Sequence, residues 1–273
     1  MNGIDGHWER LAGPWLANEA AMEALLAPVG AVLDNALALE AGEAVLDVGP
    51  GSGASLLRHL AAVGSGGRVA GVDIAPPFAA RARDRAGVEV VVADAGAGPV
   101  EERGFDAVAS QFGMMFFPDP ATAFAAVGRN LRPGGRLVAV AWGPRGQNPL
   151  FSLPGEVAAG LLGPAPAADP DAPGPFGLQN AARTTGLLAE AGFGDVRATP
   201  VALTLVSDRD AAAFAAVQTE VGPAAARLRE AGADDATVRA MRERLAGAFA
   251  PHEAGGMVSL PAVVHVYSAS WAG

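Results

Sequence analysis

The sequence predicts an α/β domain built on a largely parallel sheet. Short apolar runs rich in β-branched residues alternate with helical patterns from residue 44 to residue 142. The first run leads into Val48-Gly49-Pro50-Gly51-Ser52-Gly53, a glycine-rich turn that opens a helix. A helix-length stretch separates each run from the next, which is the connection that parallel strands require.

The elements follow in order. Leu25, Leu26, Val29, Val32, Leu33, Leu37 and Leu39 recur at helical spacing, so residues 14–39 read as one or two amphipathic helices. Residues 44–47 form the first strand and 52–63 its helix. A second strand covers 68–73, and Pro76-Pro77 opens the helix after it. Strands follow at 88–93 and 105–110. Asp119-Pro120 then places an N-cap before a proline at the first helical position. That helix reaches residue 131, stops at Pro133-Gly134-Gly135, and gives way to a strand at 136–142. Residues 143–178, rich in Gly, Pro and Asp, read as a loop insertion with at most a short helix at 156–162. Beyond it come a helix at 179–191, a strand at 195–206, helices at 210–221, 224–231 and 234–249, and a last strand at 258–270. The division is thus a single domain, 1–273. Residues 1–40 form an N-terminal helical cover, 41–142 a nucleotide-binding core, 143–178 the insertion, and 179–273 a C-terminal sheet with a helical lid at 208–250.

Composition narrows the function. Hydrophobic residues make up 51% of 273 residues, enough for a full core. A net charge of -10 disfavours nucleic acid and anionic membrane as main partners. Arg227, Arg229, Arg239, Arg242 and Arg244 alternate with acids and read as solvated helix faces. The absence of cysteine excludes disulfides, thiolate zinc sites and a cysteine nucleophile. The first residues lack the basic-then-apolar design of a secretory signal, and no run reads as long and apolar enough to span a bilayer. The expectation is a cytoplasmic protein, monomer or homodimer, acting on a small molecule.

The glycine turn sets the chemistry. Glycine has no β-carbon to block a ligand and tolerates positive φ, and the helix that follows presents free N–H groups. A dinucleotide loop wants G-x-G-x-x-G, whereas Gly49, Gly51 and Gly53 make G-x-G-x-G with Ala54 next. Asp73, ending the second strand, suits two ribose hydroxyls in either scheme. Asp94, ending the third, can accept from an adenine amino group, which dinucleotide enzymes do not usually need.

These residues resemble the class I S-adenosylmethionine-dependent methyltransferases, in particular the small-molecule group similar to the ubiquinone/menaquinone-pathway enzymes. Asp47, Gly49, Gly51 and Gly53 match the family's D-x-G-x-G-x-G loop. Asp73 with Ile74 matches its second-strand terminus, Asp94-Ala95 its third, Ser110-Gln111-Phe112 with the residues to Pro118 its post-fourth-strand segment, and Arg132-Pro133-Gly134-Gly135 its final turn. Pro50 departs from the small residue many relatives carry. The resemblance implies a Rossmann-like, seven-stranded, mostly parallel sheet whose last strand is antiparallel. It implies S-adenosyl-L-methionine as cofactor, held by these residues, and it implies that Trp15 and Asn18 cover it. Simple packing of the N-terminal helix is the other reading of Trp15.

Methyl transfer from a sulfonium disperses charge, so alignment supplies much of the acceleration and a base is needed only for a protonated acceptor. Among the four histidines, His252 and His7 are the candidates for such a base. His59 reads as a surface or packed residue and His265 as structural, on the last strand. No carboxylate set follows the fourth strand, so no metal is expected. Met114 and Met115 are candidates to line an apolar acceptor pocket, with Phe116 and Phe117 lining it or packing the next helix. The leading reading is methyl transfer to a hydrophobic small molecule, with secondary metabolites as one such class. The alternative is a protein that holds the cofactor as a scaffold while catalysing a cyclisation or pericyclic reaction, and a non-enzymatic binding protein is a third class.

Overall fold

Val45, Leu46 and Val48 of strand β1 (Ala44–Val48) are buried on both faces of the sheet, as a central parallel strand must be. In the computed structural model, which describes residues 4–100, 104–167 and 169–273, β1 lies between β2 (Arg68–Asp73) and β4 (Phe105–Gln111), parallel to both. Outside β2 runs β3 (Glu89–Val92), and beyond β4 runs β5 (Leu131–Trp142). Strand β8 (Met257–Trp271) lies antiparallel between β5 and β6 (Phe193–Val206). The resulting order, β3-β2-β1-β4-β5-β8-β6, is the mostly parallel seven-stranded sheet with an antiparallel last strand that was expected. A two-residue strand, β7 (Glu253–Ala254), adds a small hairpin to the start of β8. The chain winds outward in opposite directions from β1, so the carboxyl ends of β1 and β4 open the crevice where such sheets bind ligands.

Helix α1 (Ile4–Ala17) begins ten residues before the expected start at Pro14. Asn18 then breaks the chain, its side chain donating to the Pro14 carbonyl at 3.0 Å. Helix α2 (Glu19–Leu37) reaches 19 residues and a mean hydropathy of 1.3, the length and composition of a membrane span, where the sequence reading found none. Its apolar stripe is a core stripe, because Leu25, Val29, Leu33 and Leu37 are at most 1% exposed and α2 lies across β4, β5, β6 and β8. Helices α3 (Ala54–Val63) and α4 (Pro76–Ala86) are the crossovers after β1 and β2, and α5 (Pro120–Gly128) is the crossover after β4. Asp119 caps α5 by accepting the Thr122 N–H.

The insertion at 143–178 holds more helix than expected. It contains α6 (Pro149–Leu162), 14 residues long, in place of the short helix expected at 156–162. Pro149 occupies the first turn, where its missing N–H costs nothing. Leu150, Phe151, Pro154 and Ala158 are buried. The buried Asn148 anchors the entry: its Nδ2 donates to the Val263 carbonyl and its Oδ1 accepts the Val263 N–H, both at 3.1 Å. After α7 (Ala181–Glu190) and β6, helices α8 (Ala211–Gln218), α9 (Pro223–Glu230) and α10 (Asp235–Phe249) form the excursion before β8 and pack on one another and on α6.

Candidate functional site

Gly49, Gly51 and Gly53 have φ of +73°, +56° and +90°, a region that costs other residues about 1–2 kcal/mol. They do different work. A Cβ on Gly49 would lie 3.0 Å from the Gly113 Cα, and one on Gly53 would lie 3.0 Å from the Ala82 Cα, so these two permit close packing of backbone on backbone. A Cβ on Gly51 meets nothing within 4 Å. Gly51 is therefore where the loop keeps an open face, and α3 begins just beyond it without a side-chain cap on its N–H groups. Gly113, after β4, is pressed against the same loop, where a Cβ would come within 2.4 Å of the Val48 carbonyl oxygen.

Asp73 closes one side of this loop. It is 7% exposed, and its carboxylate accepts the Gly51 N–H at 3.1 Å and the Ala75 N–H at 2.9 Å. Burial pushes its pKa up to about 6 against the pull of these two bonds, and the nearby Asp47 carboxylate adds to the rise. Ile74 is half-buried beside it. Asp94 is exposed beyond the end of β3, with Oδ1 accepting the Gly96 N–H at 2.8 Å, and Ala95 is buried behind it. Gly51, Asp73 and Asp94 thus come from neighbouring strand ends at the carboxyl edge.

Other expected site residues face elsewhere. Asp47 is fully buried under the loop, with its Oδ2 3.4 Å from His59 Nε2, so it does not reach the crevice directly. Ser110 is also fully buried, and its hydroxyl donates to the Val48 carbonyl at 2.8 Å, stapling β4 to β1. Gln111 turns its amide oxygen to Arg58 Nη2 of α3 at 3.2 Å. Met114 and Met115, expected to line an acceptor pocket, are 2% and 3% exposed. The turn at Met114–Phe116 drives both into the core, Met114 against Phe124, Leu137 and Tyr267.

Aromatic rings gather at the same edge of the sheet. Phe112 is half-buried with φ +66°, a rare conformation for a bulky residue, and stacks on Trp142 at 4.3 Å and 12°. Phe151 of α6 meets Trp142 edge-on at 5.1 Å, and Phe176 meets Phe151 at 4.9 Å. This column lies where β4 and β5 end.

The N-terminal helix gathers a second group of rings. Trp8 lies 4.8 Å from Phe116, edge-on, and within 6.5 Å of Trp15 and Phe78. Ala12, Ala75 and Phe78 form a small buried cluster that Trp8, Trp15 and Leu16 pack against. Because Ala75 follows Asp73 and Ile74, α1 covers the carboxyl end of β2. Trp8 lies on the part of α1 that precedes the expected start at Pro14, and Phe78 faces it from α4. The spacing of Trp8, Ala12 and Trp15 on one helical face was the available signal. Asn18 donates to the Glu220 carboxylate at 2.9 Å, tying the cover to the excursion between α8 and α9.

The histidines divide similarly. His7 sits exposed on α1, against the edge of Trp8, with its pKa lowered by partial burial and by Arg10 and Arg229. His252 lies in the turn after α10, beside Glu253, whose carboxylate accepts the Ala211 N–H at the start of α8. The structure places it at the base of the excursion. His265 is buried, its Nδ1 3.2 Å from the Tyr267 hydroxyl, which donates to the Leu178 carbonyl. Burial lowers the His265 pKa and pushes Tyr267 up to about 12, so this pair is a neutral structural chain.

Residues 46–139 match the family model described as a methyltransferase domain. Over these residues the chain is similar to a methyltransferase domain. An aklanonic acid methyltransferase of Streptomyces sp. (strain C5) is 38% identical over 102 residues, covering 35% of this chain and 46% of that protein. The chain spans about half the length, or less, of the curated relatives it matches. A phosphoethanolamine N-methyltransferase 2 of Haemonchus contortus, solved with S-adenosyl-L-methionine, shares the fold at 17% identity and a TM-score of 0.53, over 90% of this chain and 53% of that one. The cyclase SpnF shares it at 17% identity and a TM-score of 0.51, over 90% of this chain and 82% of its own. The matched residues include the glycine loop, Asp73 and Asp94, while the aromatic column extends past them into α6.

Proposed function

We propose that this methyltransferase domain binds S-adenosyl-L-methionine and transfers its methyl group to a hydrophobic small molecule. The observation that carries the reading is the open face at Gly51 beside a buried, two-oxygen acceptor, Asp73. The donor set fits the cofactor: Asp73 suits a pair of ribose hydroxyls, the exposed Asp94 suits an adenine amino group, and Gly51 admits backbone contact. When bound, the cofactor supplies an electrophilic methyl on a sulfonium. Trp8 and Trp15 on α1 shield it from water, and Asn18, through Glu220, holds that cover to the excursion. Phe112, Trp142 and Phe151 present the apolar wall against which an acceptor is aligned, and alignment is the main requirement of in-line displacement. His7 lies beside Trp8 on α1 and His252 at the base of the excursion, and neither is assigned as a base.

A scaffold role without transfer uses the same loop, and the fold shared with SpnF is compatible with either. Incubation with isotopically labelled cofactor and an apolar small-molecule extract separates them. The expected product is one methyl heavier, with S-adenosylhomocysteine released. A product of unchanged mass with intact cofactor overturns methyl transfer in favour of the scaffold. Trp8→Ala is expected to weaken S-adenosylhomocysteine binding about tenfold, from the loss of roughly 1–1.5 kcal/mol of ring contact. Titration calorimetry checks the affinity, and faster hydrogen exchange across residues 4–17 checks the loosened cover.

A further inference from the structure

The excursion carries a polar cluster that the reading above does not use. Gln218, in the last turn of α8, is 1% exposed, yet its side-chain amide makes no hydrogen bond among the described residues. A Cβ on Gly222 would lie 3.0 Å from its Oε1, so the amide is turned toward the loop that joins α8 to α9. Arg242 of α10 reaches the start of the same loop, its Nη2 donating to the Thr219 hydroxyl at 3.3 Å. The Arg242 Nε is buried without a partner, and the side chain makes no ion pair among the described residues. The sequence pattern put Arg242 on a solvated helix face, and the structure half-buries it instead.

The cluster is incomplete as it stands. A buried amide or guanidinium N–H that gives up water and gains no acceptor opposes folding, and such groups are rare unless a function keeps them. The polar neighbours are already engaged. The Thr219 hydroxyl donates to the Ala216 carbonyl at 2.7 Å, and the Glu220 carboxylate accepts from Asn18 at 2.9 Å. Arg229 of α9 adds a second guanidinium to the loop, with Nη1 3.5 Å from the Glu220 carbonyl oxygen. Arg227 and Arg244 turn away, donating to the Gly163 and Gly160 carbonyls at the end of α6. The loop thus meets the cover through Asn18, while α10 packs on α6, the helix that brings Phe151 to the aromatic column.

We propose that Gln218 and Arg242 are specificity residues for the acceptor and bind a carboxylate on an otherwise apolar molecule. The ligand that completes the cluster accepts N–H bonds from two side chains and carries the charge that the guanidinium lacks. A carboxylate does both, with two oxygens that suit the fork of an arginine and a neighbouring amide donor. A hydroxyl or a neutral carbonyl accepts a bond and leaves the charge unmatched. The inference rests on the reading of an apolar acceptor beside the cofactor, and it names a hydrophobic acid as the class.

The test uses the full chain loaded with S-adenosylhomocysteine and two matched probes, naphthoate and its neutral amide. Each is titrated into the wild type, Arg242→Met and Gln218→Leu. The wild type is expected to bind the acid at least about tenfold tighter than the amide. Each variant is expected to lose that preference with S-adenosylhomocysteine affinity unchanged. Each is also expected to hold the Tm of the free protein or raise it by about 1–3 °C, since an apolar side chain replaces a buried group without a partner. Equal binding of the two probes to the wild type, or binding of neither, overturns the proposal, as does a preference that survives in a folded variant. A lowered Tm in both variants, or failure of both to fold, makes the cluster a packing feature and also overturns it. If one variant does not fold, the other decides. Absence of S-adenosylhomocysteine binding to the wild type removes the cofactor reading itself, a separate failure.

Discussion

Asp73→Asn is expected to make the free protein more stable while removing most of its cofactor affinity. The sign follows from the pKa. Asp73 titrates at about 6 in the folded chain against an ordinary 3.8, so its burial as an anion opposes folding. That cost is absent below about pH 4, where the group is protonated in both states, and is complete above pH 6. A rise of this size corresponds to about 3 kcal/mol. Asparagine removes the charge and keeps one acceptor for the Gly51 or Ala75 N–H, so part of that gain is lost to the unmade bond. The net expectation is about 1–2 kcal/mol of added stability at pH 8, or a Tm rise of about 2–6 °C, vanishing as pH falls toward 4. Affinity moves the other way. Two charge-assisted bonds to ribose hydroxyls are worth about 3–4 kcal/mol together, so S-adenosylhomocysteine should bind at least a hundredfold more weakly. Thermal melts from pH 4 to 8, with titrations at pH 8, check both halves. A variant less stable than the wild type at pH 8 with unchanged affinity contradicts the role given to Asp73.

Gly113→Ala tests the packing of the same site from its other side. Gly113 has ordinary helical dihedrals, φ -73° and ψ -41°, so alanine meets no conformational penalty there. The added methyl would lie 2.4 Å from the Val48 carbonyl oxygen and 3.0 Å from the Ser110 hydroxyl. Neither can yield easily, because both belong to the staple between β1 and β4. Overpacking against backbone costs about 3 kcal/mol or more, and the expected result is a Tm lowered by about 6–12 °C with a displaced glycine loop. Gly51→Ala is the contrast. Its methyl meets open space, and the cost is about 1 kcal/mol of left-handed backbone strain. Equal melting temperatures for the two variants would show that the β1 and β4 loops are not packed as described.

Much of this was legible in the sequence because it is written in local pattern. Alternating strands and helices gave the sheet, and the positions of Asp73 and Asp94 at its carboxyl edge follow from ending a strand there. What eluded reading depends on which way a side chain turns. Asp47 and Ser110 sit at motif positions yet are fully buried, and Gln111 turns to Arg58 of α3, since successive residues of a strand alternate between faces and no pattern says which face α3 lines. Met114 and Met115 went astray for a related reason. A single helical turn after β4 rotated them into the core and left Phe112 stacked on Trp142. The helix α6 was obscured by its own prolines and glycines, which the first turn and the Asn148 anchor accommodate. His59, read as a surface or packed residue, is packed, at 1% exposure beside Asp47 on another element.

The central claim is that the glycine loop and Asp73 hold S-adenosyl-L-methionine or its demethylated product. Calorimetric titration of S-adenosylhomocysteine into the wild-type chain at pH 8 tests it most directly. The expected result is one site per chain with a dissociation constant of about 10 μM or tighter. No heat and no thermal shift at about millimolar ligand would contradict it.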